Sequence, residues 1–331
     1  MLLAVGHPSD PMLESELERH RRSLTGYCYR MLGSGSEAED AVQETMVRAW
    51  RSVDRLEARA ALQGWLYRIA HNVCCDMLAS AQRRAMPMDL GPASPADGAL
   101  GGLSEDAWVQ PIADARVLPE DGDPAYVAEL RESLRLAFVA ALQHLPPRQR
   151  AVLILCEVLR WKASEAAELL ETSVASVNSS LQRARATLAA LDLEPGAVGA
   201  ARPGEEQRLL AAYIDAFERY DMEALTGLLR EDAAFTMPPF ELWVRGTEEI
   251  VAFMTGTGAK CEGSRVLATA ANGSPAAAIY NPAADGTFAP WAIVVLETDG
   301  ERIAALHHFL GGSELFASFG LPELLDAQAA A

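Results

Sequence analysis

The sequence predicts a multidomain chain: two all-α domains, a helical bundle and then a helix-turn-helix unit, followed by an α+β domain. Three observations predict it. Apolar residues recur at helical spacing through 12–84 and again through 130–191. Two stretches rich in Pro, Gly and Ala, 85–129 and 192–204, interrupt that periodicity, and the first is also strongly acidic. From about residue 264 the pattern changes to alternation, punctuated by Asn272-Gly273, Asp285-Gly286 and Asp299-Gly300, dipeptides suited to tight hairpins. The expected domains are therefore 12–84, 130–191 and 205–325, joined by an acidic flexible linker at 85–129 and a second linker at 192–204.

In the first domain, Leu13 to Leu32 reads as an amphipathic helix stopped by Gly33-Ser34-Gly35. Ser36 is positioned to cap a second helix, with Glu39 completing a capping box. That helix runs to about Val53 on the stripe Ala38, Val42, Met46, Ala49 and Val53, leaving Asp40, Gln43, Glu44 and Arg48 off it. A third helix, about Leu62 to Gln82, turns Leu62, Trp65, Leu66, Ile69 and Val73 inward and keeps Asn72 toward its polar side. Trp65 lies on the apolar stripe and reads as core.

The composition of 85–129 argues against a packed element. Within it, AWVQPIADARV (107–117) places Trp108, Val109, Pro111 and Ile112 together in an otherwise polar stretch.

The helix-turn-helix lies in 145–188. Pro146-Pro147 stops whatever precedes it, because proline fixes φ and lacks an N–H. A short helix follows at Ser164 to Leu170, then a turn at 171–173, with Ser173 able to cap the last helix. That helix puts Val174, Val177, Leu181, Ala184 and Leu188 on one stripe and Ser176, Ser179, Gln182 and Arg183 opposite, with Asn178 flanking them. Short polar, amide and guanidinium side chains on one helix face can reach base edges or phosphates.

In the last domain, Glu205 to Arg219 is a helix that buries Leu209, Ala212, Tyr213, Ala216 and Phe217. Asp221 caps another, reaching about Arg230, and a third spans Gly246 to about Thr255. Strands are expected near 264–271, 275–281, 287–297 and 301–310. Alternation on the last strand sets Ile303, Ala305, His307 and Phe309 on one face, opposite His308, so only one histidine can point inward. Without an acid on the same strand face, a lone histidine reads as structural rather than as a base. Met237, Phe240, Trp243 and His307 are the candidate pocket lining.

A net charge of −18 over 331 residues looks unfavourable for contact with nucleic acid, but its distribution is uneven. Residues 130–190 carry a net +3, residues 1–84 balance, residues 85–129 carry −8 and residues 191–331 carry −13. Phosphate attraction depends on charge within about a Debye length of 8–10 Å, so binding survives, weakly for the isolated chain. No run of about 18 apolar residues exists, and the N-terminus lacks a basic secretion-type region. The five cysteines follow no metal-ligand spacing. These features point to the cytoplasm, with buried thiols, no membrane partner, no metal and no cofactor.

Two further segments carry a resemblance. AEDAVQETMVRAW (38–50) and WLYRIAHNVCCDML (65–78), followed by the helix-turn-helix, resemble regions 2 and 4 of sigma-70-family factors, most closely the extracytoplasmic-function (ECF) class. The resemblance implies core RNA polymerase and promoter DNA as partners, and no covalent chemistry or catalytic residue. By it, Asp40, Gln43 and Glu44 would contact the polymerase. Asn72, with the connection before Trp65, would capture an unstacked base of the −10 element. Asn178, Ser179, Gln182 and Arg183 would read the −35 element. Many members carry more Lys and Arg along this last helix, which implies a shallower salt dependence here.

Trp108 and Pro111 resemble a linker motif of those sigma factors that carry a C-terminal extension, where it docks onto the extension or inserts toward the polymerase channel. AYIDAFERYDMEALTGLLREDAAFTMPPFELWVRG (212–246) is similar to the opening of SnoaL-like domains, whose helices and curved sheet make a cone around a pocket. FGLPELL (319–325) fits the same SigG-like and SigJ-like group. The resemblance implies a C-terminal domain that regulates in cis. The alternative is a DNA-binding protein whose last domain is an enzyme or a sensor of a small-molecule ligand.

Overall fold

A computed structural model describes residues 11–53, 61–79, 83–191 and 204–326. Three helices open the chain: α1 (Pro11–Leu32), α2 (Gly35–Ser52) and α3 (Leu62–Leu78). The cap of α2 is Ser34 rather than Ser36. Its side chain accepts from Glu37 N, and the helix begins two residues earlier than the capping-box pattern suggests. Ser36 Oγ is instead turned to Gln110 Oε1 at 3.2 Å. Residues 80–82, expected to complete the third helix, lie outside the described residues.

The stretch 85–129 departs from the expectation of an unpacked linker. It carries two 3₁₀ turns, the short helix α4 (Asp114–Val117) and the start of α5 (Pro124–Glu132). Trp108, Val109, Pro111, Ile112, Ala113, Val117 and Leu118 are all buried. Its apolar residues are spaced to meet pre-existing surfaces rather than one another, so composition alone conceals the packing.

Then come α6 (Leu136–Leu142), α7 (Pro147–Leu153) with a π-helical continuation through Val158, α8 (Ala163–Leu169) and α9 (Val174–Ala190). Ser173 caps α9 by accepting from Ser176 N at 3.1 Å. The expected stripe is shifted. Val177 and Ala184 are buried and so is Ser180, whereas Val174 is 44 % exposed.

The last domain comprises α10 (Glu205–Glu218), α11 (Met222–Leu228), α12 (Thr247–Thr255), α13 (Ser313–Ser318) and six strands. These are β1 (Leu229–Thr236), β2 (Trp243–Arg245), β3 (Arg265–Ala271), β4 (Ser274–Pro282), β5 (Phe288–Thr298) and β6 (Ile303–Leu310). They form one sheet in the order β2-β1-β6-β5-β4-β3, antiparallel except for β1 with β6. The first two strands had no expectation from sequence. LREDAAFT mixes charge with small residues, and the helical reading ran on to Arg230.

Both faces of the sheet are covered, which is why β4 reads as an almost unbroken apolar run. On the inner face, Ala277, Ile279, Val294, Leu296, Leu306 and Phe235 pack with Tyr213, Phe217 and Phe253 of the helices, filling the cone. On the outer face, Ala271, Ala276, Val295 and Phe309 join a core shared by both helical units. Burying each of the larger outer-face residues contributes roughly 1.5–3 kcal/mol. The two helical units also touch directly. Tyr67 lies 5.1 Å from the Trp161 ring, and Arg68 donates to Glu168 O at 3.3 Å.

His308 is one buried group inside the cone whose titration matters to stability. It is 5 % exposed, with its ring 4.5 Å from Phe235. Burial, reinforced by His307, pushes its imidazole down to about 3. The unfolded chain takes up this proton near 6.5, so stability falls as pH drops below 6.5 and continues to fall toward 3, by up to about 1.4 kcal/mol per unit from this group. Urea unfolding at pH 8 and pH 5 checks this: His308→Leu is expected to flatten the loss on acidification.

Candidate nucleic-acid and protein interfaces

The outer face of α2 is the first candidate surface. Asp40, Gln43 and Glu44 sit within little more than one helical turn, and all three are exposed. Glu44 accepts from Arg48 Nε at 2.7 Å, and Arg48 reaches Asp76 Oδ2 on α3 at 3.3 Å. The Glu44 hydrogen bond, ahead of that with Asp76, raises the Arg48 guanidinium above its ordinary range. This pins α2 to α3.

Beside that pin, α2 and α3 flank an open cavity of about 340 Å³ lined by Arg48, Arg51, Ser52, Trp65, Ile69 and Asn72. Asn72 is exposed on its rim. Trp65, expected as core, is half-buried: it packs against the core and also walls the cavity. A volume in the small-ligand range, an indole wall, an amide and two guanidinium groups suit a planar base attached to a phosphate backbone. Arg48 and Arg51 escaped the sequence reading as cavity walls; their spacing of three, on the off-stripe side of α2, was the available signal. The connection before Trp65, residues 54–60, lies outside the described residues.

The polar face of α9 is open. Asn178, Ser179, Gln182 and Arg183 are exposed and Ser176 is half-buried. Arg183 reaches Ser180 Oγ at 3.3 Å, which holds the guanidinium along the helix. The acidic last domain does not cover this face.

The linker binds all three parts. Trp108 is buried, its carbonyl accepting from Arg84 Nη1 at 3.0 Å, and Arg84 pairs with Glu37 of α2 at 2.6 Å. Pro111 is buried against the start of α2, where a Cβ on Gly35 would meet the Pro111 carbonyl at 2.7 Å. Farther back, residues 91–103 lie along the edge of the cone. Trp243 Nε1 donates to Gly91 O at 3.0 Å, Ser94 N to Trp243 O at 2.8 Å, and Glu241 N to Gly101 O at 2.8 Å.

The sharpest junction is the β3–β4 turn. Asn272, fully buried at φ 55°, donates from Nδ2 to Tyr29 Oη of α1 at 2.5 Å and to Leu134 O before α6 at 2.8 Å. Its Oδ1 accepts from Ile112 N at 3.0 Å. Gly273 N donates to Asp114 Oδ1 at 2.7 Å, and burial pushes the Asp114 carboxyl up to about 6. A Cβ on Gly273 would lie 2.4 Å from Arg131 O. Next to it, Arg135 donates to Ser274 Oγ at 2.9 Å. Sequence reading saw only a hairpin turn in Asn272-Gly273, since the same dipeptide serves any tight hairpin.

The four expected pocket residues do not converge in the cone. Trp243 and Phe240 face the linker, Phe240 bridging to Gly102, and Met237 packs at the edge of the cone core. His307 is on the outer face, where Thr236 Oγ1 lies 2.9 Å from Nδ1 and Glu297 Oε2 lies 3.7 Å from Nε2. A register shift between Glu297 and Thr298 changes the phase of β6 after Ile303. Ile303, Leu306 and His308 therefore face inward, while Ala305, His307 and Phe309 face the helical units. His307 lines a cavity of about 230 Å³ with Met86, Leu136, Ala140 and Leu191, outside the cone. Glu297, on the neighbouring strand, was missed; an acid at the end of the apolar run AIVVLE was its signal.

Among the described residues, no helix is long and apolar enough to cross a membrane. Family models match in three consecutive blocks: sigma-70 region 2 at 17–84, sigma-70 region 4 at 135–188 and a SnoaL-like domain at 210–306. The chain is 43 % identical over 314 residues to the ECF RNA polymerase sigma factor SigG of Mycobacterium tuberculosis, covering 93 % of this chain and 83 % of that one. It is 26 % identical over 249 residues to SigJ of the same organism, covering 73 % of this chain and 72 % of that one. The crystal structure of Mycobacterium tuberculosis SigJ superposes with a TM-score of 0.60 at 24 % identity, covering 93 % of this chain and 100 % of that one, and so shares the fold. With regions 2 and 4 in order and a SnoaL-like cone behind them, the chain belongs to the ECF RNA polymerase sigma factors.

Proposed function

We propose that this sigma factor rests in a closed form in which its SnoaL-like domain holds regions 2 and 4 together, and that productive binding to core polymerase and promoter requires the clamp to open. The observation that carries the reading is Asn272, whose single side chain bonds region 2, the linker and the segment entering region 4. Promoter geometry supplies the conflict. Elements at −10 and −35 are about 25 base pairs apart, or about 85 Å along a duplex. Here α3 packs on α8, and α9, with 17 residues, is only about 25 Å long. The closed form therefore cannot place both readers on one promoter.

In this reading Asp40, Gln43 and Glu44 dock on the polymerase, Asn72 and the Trp65 cavity take a −10 base, and Asn178, Ser179, Gln182 and Arg183, flanked by Ser176, read the −35 element. Trp108 and Pro111 lock the linker to region 2 and the cone. Because the α2 and α9 faces are open while closed, the brake acts on spacing rather than by covering the contact surfaces. The cone serves as a regulatory module: aromatic and aliphatic side chains fill its interior, and the acid-paired histidine, His307, lies outside it.

Two outcomes are expected. The triple change Asn178→Ala, Gln182→Ala and Arg183→Ala abolishes −35-dependent run-off transcription and leaves core binding, measured by co-migration with polymerase, unchanged. Separately, Asn272→Asp tolerates the left-handed turn but removes both Nδ2 donors and sets a carboxylate against the Leu134 carbonyl, loosening the clamp by roughly 2–3 kcal/mol. Run-off by this variant, and by a truncation ending at Leu191, should exceed that of the full chain several-fold; a folded but inactive truncation would instead mean that the cone helps to hold polymerase.

A further inference from the structure

The cavity of about 230 Å³ that His307 lines lies where the outer face of the sheet meets the linker and region 4. Met86 and Met88 of the linker, Leu136 and Ala140 of α6, and Leu191 after α9 give it apolar walls, and β5 adds Glu297. The Glu297 side chain is only 14 % exposed, and His307 Nε2 lies 3.7 Å from its Oε2, beyond hydrogen-bond reach. Thr236 Oγ1, 2.9 Å from His307 Nδ1, holds the ring in that position. Among the described residues no hydrogen bond reaches either Glu297 oxygen, and neither oxygen is sealed in packed side chains; the surface they retain opens on this cavity. A carboxylate offers about four acceptor sites, and leaving them unused in a largely buried position is costly.

Neighbouring cations are committed elsewhere. Arg135 turns to Ser274 Oγ at 2.9 Å, Glu132 Oε1 at 3.3 Å and Glu206 Oε1 at 3.6 Å. His144, also on the wall, has Arg83 Nη1 3.2 Å from its Nδ1; burial and then Arg83 hold its imidazole below the ordinary range, so it brings no charge at neutral pH. Burial works to raise the Glu297 carboxyl, but the His307 ring and then Arg135 outweigh it and hold the group below the ordinary carboxylate range, so it is ionised. Asp89, exposed on the rim, adds a second negative charge.

We infer that this cavity is a binding site for a small organic cation, a primary ammonium on a short apolar body. The ammonium donates to the Glu297 carboxylate, and the body lies among Met86, Met88, Leu136 and Leu191, where flexible thioethers adapt to its shape. The volume equals that of about seven or eight liquid waters, which suits one ring with an aminomethyl arm. Because the linker, region 4 and the cone each supply a wall, occupancy favours the closed form. That consequence rests on the reading above, whereas binding to the resting chain does not.

The test uses the full chain with its ten methionines labelled with ¹³C at the methyl group. Met86→Leu and Met88→Leu assign the two wall signals. Benzylamine, cationic at neutral pH, is expected to move both saturably, with a dissociation constant on the order of 1 mM, and the uncharged benzyl alcohol to bind at least about tenfold more weakly. Glu297→Gln keeps the shape and removes the charge; it should weaken benzylamine at least about tenfold and leave benzyl alcohol unchanged. Ala137→Leu is the second variant. Ala137 is exposed on α6 at the edge of the cavity, and leucine is nearly as good a helix former, so the fold is kept while the opening narrows. Its benzylamine titration should weaken with the melting temperature unchanged. Wall signals unmoved by benzylamine, an equal response to benzyl alcohol, or an undiminished benzylamine titration in either variant would each overturn the site. Run-off transcription by the full chain with benzylamine present then tests the closed-form consequence separately: a lower yield is expected, and an unchanged yield with binding intact would overturn that consequence alone.

Discussion

A two-residue turn with both residues at positive φ has few permitted occupants, and the arrangement of this molecule depends on that restriction. Asn272 at φ 55° and Gly273 at φ 70° close the β3–β4 hairpin tightly enough to enter a crevice between three other segments. Asparagine tolerates the left-handed conformation and also carries two donors and an acceptor, all of them used. Glycine lets the Arg131 carbonyl approach where any side chain would collide. A polar tip that is satisfied in every direction is bound firmly in place. It can also be released into water with little net change in hydrogen bonding, which suits a contact that must be reversible.

The helical units are joined on the same principle. Arg30 and Arg150 are buried with no carboxylate partner among the described residues, and burial lowers both guanidinium groups to about 10. Their partners are mainly carbonyls at helix ends. Arg30 donates to Leu130 O at 3.1 Å and to Ser133 O at 3.2 Å at the end of α5, and Arg150 to Gln143 O at 3.2 Å and Leu145 O at 3.1 Å after α6, as well as to Met31 O. Helix C-termini carry unsatisfied acceptors and partial negative charge, so one guanidinium can cap two helices from different units. The charge is balanced by dipoles instead of by an ion pair.

Legibility in the sequence followed local physics. The helices of regions 2 and 4, the Ser173 cap and the three hairpin turns rest on periodicity and turn chemistry that neighbouring residues determine. What escaped was set by distant contact. Ser36 gave way to Ser34 as cap while its hydroxyl was drawn to Gln110. The linker looked unstructured because its partners are elsewhere in the chain. His307 and His308 exchanged roles because a one-residue irregularity inverts a strand's faces, and nothing in the run ERIAALHHFL marks it. Site residues carried by the family segments could be named from sequence, but the cavity walls Arg48 and Arg51 and the Glu297 partner of His307 emerged only when elements were set side by side.

The outer face of the sheet carries a thermal consequence. Ala271, Ala276, Val295 and Phe309 are apolar and share the core of the helical units, so opening the clamp exposes them together with the surfaces they cover. Exposure of apolar area raises heat capacity, and the associated attraction weakens on cooling. The polar tip at Asn272 lacks that dependence. Closure held by both kinds of contact therefore loosens in the cold first at the sheet face, leaving the hairpin as the last tether, and its strength changes with temperature even when no ligand or partner does.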